Sequence, residues 1–179
     1  MLMTAVLFAS LVRTAPYELD KGYLELREMA LKTATSDLHV EAKSNEVIGV
    51  VVDLGLPEEV VTVAIFKGGI AIMLRSTGGY RMGGDRISSE IRDAVSHALS
   101  VASEQLPKMQ RASDFSVIGS EGARVYVLTP AGVFSSDDIG GDLRGSLLHP
   151  NPPAYALAQA IDAVITAYRH LEPGETEPK

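Results

Sequence analysis

Residues 60–85 read VVTVAIFKGGIAIMLRSTGGYRMGGD, and this stretch decides the fold. It holds no acidic residue before Asp85, and its two apolar arms meet at Gly68-Gly69. Val60 to Phe66 and Ile70 to Arg75 are predicted to pair as a β-hairpin. A two-residue glycine turn sets Lys67 opposite Ile70, Ile65 opposite Ile72 and Val63 opposite Leu74. In that register Val61, Val63, Ile65, Ile70, Ile72 and Leu74 share one face, and Thr62, Ala64, Phe66, Ala71 and Met73 share the other. Neither face carries a charge within the hairpin body. The sheet is therefore expected to be covered on both sides, by helices or by another subunit.

Upstream, VIGVVVDL (Val47 to Leu54) is a near-continuous β-branched run that reads as a central strand, closed by Gly55-Leu56-Pro57. Glu18 to Ala34 reads as a first helix. Its apolar stripe is Leu19, Tyr23, Leu26 and Ala30, with Lys21, Glu25, Arg27 and Glu28 toward water. Gly22 weakens its start. Leu38, Val40 and Ala42 then alternate with polar residues, as in a half-buried strand or an extended linker.

Downstream, Ser88 to Leu106 is predicted to be a helix with the stripe Ile87, Ile91, Ala94, Val95, Ala98, Ala102 and Leu106, ended by Pro107. A polar connector leads to Phe115–Ile118 and Ala123–Thr129, both read as strands. A turn at Pro130-Ala131-Gly132 then returns the chain through Val133-Phe134-Ser135. After an irregular loop from Asp137 to Pro150, Pro152-Pro153 open a last helix with the stripe Leu157, Ile161, Val164, Ile165, Tyr168 and Leu171. The order helix–strands–helix–strands–helix, with tight turns between strands, assigns the α+β class: a mainly antiparallel sheet covered by helices. A single domain over residues 17–172 is expected, preceded by an apolar segment, 1–16, and followed by a mobile tail, 173–179.

The chain has 179 residues, a hydrophobic fraction of 46%, a net charge of −7 and no cysteine. That size permits a substantial core. The acidic balance argues against nucleic-acid and anionic-membrane partners, which both require basic patches. Without cysteine there is no disulfide, thiolate metal site or thiol nucleophile. The opening MLMTAVLFASLV has its first positive charge after the apolar run rather than before it, unlike a secretory signal. It is also shorter than the ~20 residues that span a bilayer. It reads as a segment packed on the domain or on a partner, or as an overextended start, with a cleaved signal as the alternative. A cytoplasmic location is expected.

The run GVVVDLGLPEEVVTV (Gly49 to Val63), followed by Ser76-Thr77-Gly78-Gly79 and the late strand Arg124 to Thr129, resembles a family of small uncharacterised bacterial proteins. The likeness extends over Val47 to Arg169 and implies no particular activity. The element order resembles the roadblock and profilin-like group. That resemblance implies an antiparallel sheet between helices and dimers that bind or regulate small GTPases.

For a ligand site, the sequence singles out the glycine cluster after the hairpin, with Thr77, Gly78, Gly79, Arg81, Gly83, Gly84 and Arg86 as phosphate- or carboxylate-binding residues. A strand feeding a glycine-rich loop and then a helix can aim backbone N–H groups at an anion. The phosphate motifs GxxxxGK[ST] and GxGxxG are absent, and Asp85 and Glu90 oppose an anion, so a plain tight turn is the competing reading. Asp137, Asp138 and Asp142 read either as oxygen ligands for a hard cation or as a solvated turn, without the EF-hand order. Among His39, His97, His149 and His170 no pair has helical metal-ligand spacing. His149 with Asp53 would form an acid–base pair if the fold joined them. No G-x-S-x-G elbow is present.

No catalytic constellation, metal site or cofactor is expected. The function expected is a non-catalytic interaction or regulatory module, a homodimer with a possible protein partner. The alternative is a small-ligand protein or enzyme built on loop 76–86.

Overall fold

The computed structural model describes residues 18–83, 89–120, 122–136 and 152–169. The expected N-terminal segment, the tail, the 137–150 loop, His149 and His170 lie outside them. Seven strands form one antiparallel sheet: β1 (Gly49–Gly55), β2 (Val60–Phe66), β3 (Ile70–Arg75), β4 (Tyr80–Gly83), β5 (Gln110–Arg111), β6 (Ala123–Thr129) and β7 (Gly132–Ser136), in the order β4-β3-β2-β1-β6-β7-β5. The helices among these residues are α1 (Lys21–Lys32), α2 (Thr35–Leu38), α3 (Ser89–Gln105) and α4 (Pro152–Arg169). The class is α+β, as the sequence predicts, and β1 holds the central position.

The two faces of the sheet are covered unequally. Val50 and Val52 of β1, Val63 and Ile65 of β2, and Val125 and Val127 of β6 pack under α3 and α4, through Ile91, Val95, Ala98, Leu157, Ile161 and Val164. Two long helices thus cover that face, and their 3.6-residue apolar periodicity turns one stripe of each toward the sheet. The opposite face presents Val51, Ala64, Phe66, Tyr126 and Leu128, covered by the short α1 through Ala30 and Leu31. Farther along α1, Tyr23 packs with Val60, Leu74 and Ile118.

The hairpin register differs from the sequence expectation by one residue. Phe66 pairs with Ile70, Ile65 with Ala71, Ala64 with Ile72 and Val63 with Met73. The loop has three residues because the Lys67 N–H donates to the Ile48 carbonyl beside β1 (2.8 Å), which keeps Lys67 in the ladder with that neighbour. Gly68 and Gly69 then reverse the chain at φ 97° and 85°, where a side chain would be strained. In this register Ile65 lies beside Ala71 and Ala64 beside Ile72, while Phe66 lies beside Ile70 and Val63 beside Met73.

Local differences have local causes. The first helix starts at Lys21, because the Asp20 carboxylate caps it by accepting from the Tyr23 N–H at 2.9 Å. The alternating stretch after it holds the one-turn α2 followed by extended chain. Phe115 to Ile118 is irregular chain that does not join the sheet, since β5 takes the position beside β7. The glycine cluster also contains a strand that the sequence reading does not anticipate, β4, paired to β3 from Leu74↔Tyr80 to Ala71↔Gly83.

Candidate functional site

Helix α1 crosses its face of the sheet as an anchored bar. At its start, the Asp20 N–H donates to the Ser76 carbonyl (2.8 Å), while the Ser76 hydroxyl accepts from the Val60 N–H (2.8 Å). In its middle, Arg27 reaches down to Asp53 of β1, and both are buried. The Arg27 Nε donates to both carboxylate oxygens at 3.1 Å, and Nη2 donates to Oδ2 at 2.5 Å.

The other lone pairs and donors of this pair are also used. Thr62 Oγ1 donates to Asp53 Oδ1 at 2.7 Å and lies 3.0 Å from the Tyr23 hydroxyl. Arg27 Nη1 donates to the Phe115 carbonyl at 2.9 Å, and the guanidinium lies 5.8 Å from the centre of the Tyr126 ring. Burial by itself would pull the guanidinium pKa down, but hydrogen bonding and the charge of Asp53 outweigh it and hold Arg27 above its ordinary value. Burial pushes the Tyr126 phenol upward. Such a saturated network fixes the geometry of α1 on the sheet.

Arg27 thereby also pins the Phe115 segment. Phe115 stacks on Tyr126 with ring centres 5.7 Å apart and planes 16° off parallel. Asp114 receives the Arg124 Nη1 at 3.0 Å.

Apolar surface remains on both sides of α1. One groove, of about 820 Å³, runs between α1 and β6–β7, with Leu24, Leu31, Leu128, Val133 and Phe115 in its walls. The other, of about 830 Å³, lies between α1 and β3–β4, lined by Leu26, Met29, Phe66, Ile72, Tyr80 and Met82. Met29 is 65% exposed, Tyr80 58% and Met82 47%. Among the described residues, five of the six exposed large hydrophobics flank α1, the other being Leu56.

Of the sequence-predicted ligand residues, those the structure describes fall in and beside the β3–β4 turn. Thr77 donates to Glu59 Oε2 (3.0 Å), and Arg75 grips both oxygens of the same carboxylate at 2.9 Å. The Arg75 hydrogen bond holds Glu59 below the usual carboxylate range, against the opposing effect of burial and with help from Thr77. The Gly78 N–H turns inward to the Arg75 carbonyl at 3.0 Å. Gly78, Gly79 and Arg81 line a recess of about 220 Å³ with Met73, Arg75 and Tyr80, and Thr77 is not in its wall. Gly83 ends β4, whereas Gly84 and Arg86 lie outside the described residues.

Asp53 faces Arg27, and its suggested partner His149 lies outside the described residues, as do Asp137, Asp138 and Asp142. His39 and His97 are exposed. Among the described residues no three His, Asp or Glu side chains converge as a metal site, and no helix is long and apolar enough to cross a membrane. The sequence reading missed the Arg27–Asp53 pair by turning Arg27 toward water. Its signals were a lone acid inside the β-branched run of β1 and an arginine four residues after the stripe residue Tyr23.

The chain matches no protein-family model, no curated protein and no solved structure.

Proposed function

We propose that this protein is a cytoplasmic, non-catalytic interaction module that self-associates through the α1 face of its sheet. The observation that carries this reading is the gathering of Leu24, Met29, Tyr80, Met82 and Phe115 around one short helix, beside two apolar grooves. Exposed large apolar side chains gathered on one face normally mark a binding surface. The other face is covered by two helices and, among the described residues, supplies no comparable cluster. The resemblance to roadblock domains leads to the same reading, a helix-covered sheet that pairs with a second copy and serves a protein partner. Multi-angle light scattering across micromolar concentrations is expected to show a monomer–dimer equilibrium weakened by Met29→Asp. A strict monomer in both the parent chain and variants with altered apolar segments would overturn the proposal.

A second reading rests on the recess that joins Gly78, Gly79 and Arg81 with Arg75. At about 220 Å³ it falls below the ~300 Å³ of ordinary small-molecule pockets and suits only an anionic head group. Thermal shift with inorganic phosphate and with acetate tests it. Stabilisation that Arg81→Ala abolishes supports the reading, and no shift, or one untouched by that substitution, removes it.

A further inference from the structure

We infer that the groove between α1 and β3–β4 is a docking site for the apolar segment Met1–Val12 of the same chain. The segment lies outside the described residues and reads MLMTAVLFASLV, twelve residues without a charge. The groove is lined by Leu26, Ala30, Phe66, Ile72 and Leu74, with Glu25, Glu28, Lys32 and Asp37 also in its walls, and Tyr80 and Met82 stand exposed at its β4 rim.

The path of the chain selects this groove and this occupant. Leu19 packs in the cluster of Tyr23, Val60 and Leu74, and Asp20 is bonded to Ser76. Helix α1 therefore begins at the Leu74–Tyr80 end of the groove. Residues 13–17 reach ~17 Å when extended, about the ~18 Å length of a twelve-residue helix, so residues 1–12 can lie anywhere along α1. A tether this short gives an effective concentration on the order of millimolar, which favours the segment over a second copy at micromolar concentration and leaves pairing to the fraction of chains whose groove is open.

Docking itself does not depend on the self-association reading, but its regulatory consequence does. The segment and a partner use the same apolar rim, so displacement of the segment exposes the surface for binding.

Because the chain has no cysteine, two introduced thiols report the contact in the full-length protein. Phe8→Cys with Met82→Cys is expected to cross-link within one chain under a short bis-maleimide, about a hundredfold faster than between chains at ten-micromolar protein. Phe8→Cys with Leu56→Cys, on the α3–α4 side, is expected to remain uncross-linked. Cross-linking only between chains would assign the groove to a second copy and overturn the inference, as would no cross-link or equal yields with Leu56. Light scattering of Phe8→Asp separates the two proposals. A dimer tightened about tenfold supports competition for the surface. A strict monomer in which the Phe8–Met82 cross-link still forms sinks the self-association reading and leaves the docking inference standing.

Discussion

The Arg27 guanidinium of α1 and the Asp53 carboxylate of β1 form a buried ion pair with three Arg-to-Asp hydrogen bonds, the shortest 2.5 Å. It is the main polar bond between α1 and the sheet on the thinly covered face. Its orientation determines which residues of α1 face water. With Tyr23, Arg27 and Leu31 turned inward, Leu24 and Met29 are left outside.

Breaking that pair from one side should be costly. Arg27→Ala or Asp53→Ala leaves an uncompensated buried charge and is expected to lower stability by ~3–5 kcal/mol. Replacing both, as Arg27→Met with Asp53→Leu, should recover most of the loss. Urea unfolding of the three variants checks this. A double variant no more stable than the singles would show that the pair contributes more than mutual neutralisation.

Gly49 permits a close approach inside β1. A Cβ there would lie 2.6 Å from Phe66 Cδ1 and 3.1 Å from the Ile65 carbonyl oxygen. Gly49→Ala should therefore destabilise by about 1–3 kcal/mol through overpacking. Denaturant midpoints for Gly49→Ala and for Gly49→Ala with Phe66→Leu should differ, the second change relieving part of the clash.

The Glu59–Arg75 pair makes acid stability predictable in sign. The folded-state pKa of Glu59 lies below its ordinary 4.5, so its contribution is present above that pH and is lost as pH falls through the depressed value. Arg75→Gln should be less stable than the parent at neutral pH, with the gap closing on the acid side of 4.5. Melting temperatures measured down the acid limb test this. A gap that widens toward acid would contradict the assignment.

The α1 face predicts its own sensitivity. Met29→Asp with Met82→Asp should leave the melting temperature nearly unchanged, because both side chains are exposed. Together the substitutions should weaken self-association by at least about tenfold, as removal of two apolar interface anchors does. Sedimentation equilibrium on the double variant provides the measurement. An unchanged dimer constant would place the contact elsewhere.

Much of the architecture was legible along the chain. β-Branched runs marked β1, β2 and β6, helical apolar stripes marked α1, α3 and α4, and glycine and proline marked most turns. Local periodicity and turn chemistry carry that information, because they depend on residues close in sequence. The class and the central place of β1 followed from it.

Tertiary structure decided the remainder. The hairpin slipped by one residue because Lys67 bonds to the Ile48 carbonyl beside β1, a neighbour no hairpin rule includes. β4 arose within a glycine cluster because the neighbouring β3 offered a free edge. Arg27 turned inward because Asp53, 26 residues away, supplied a buried countercharge. The opening stretch, VVTVAIFKGGIAIMLRSTGGYRMGGD, thus determined by itself that a sheet covered on both faces would form. Which side chains face which helix, and where apolar surface is left over, followed from contacts between residues distant in sequence.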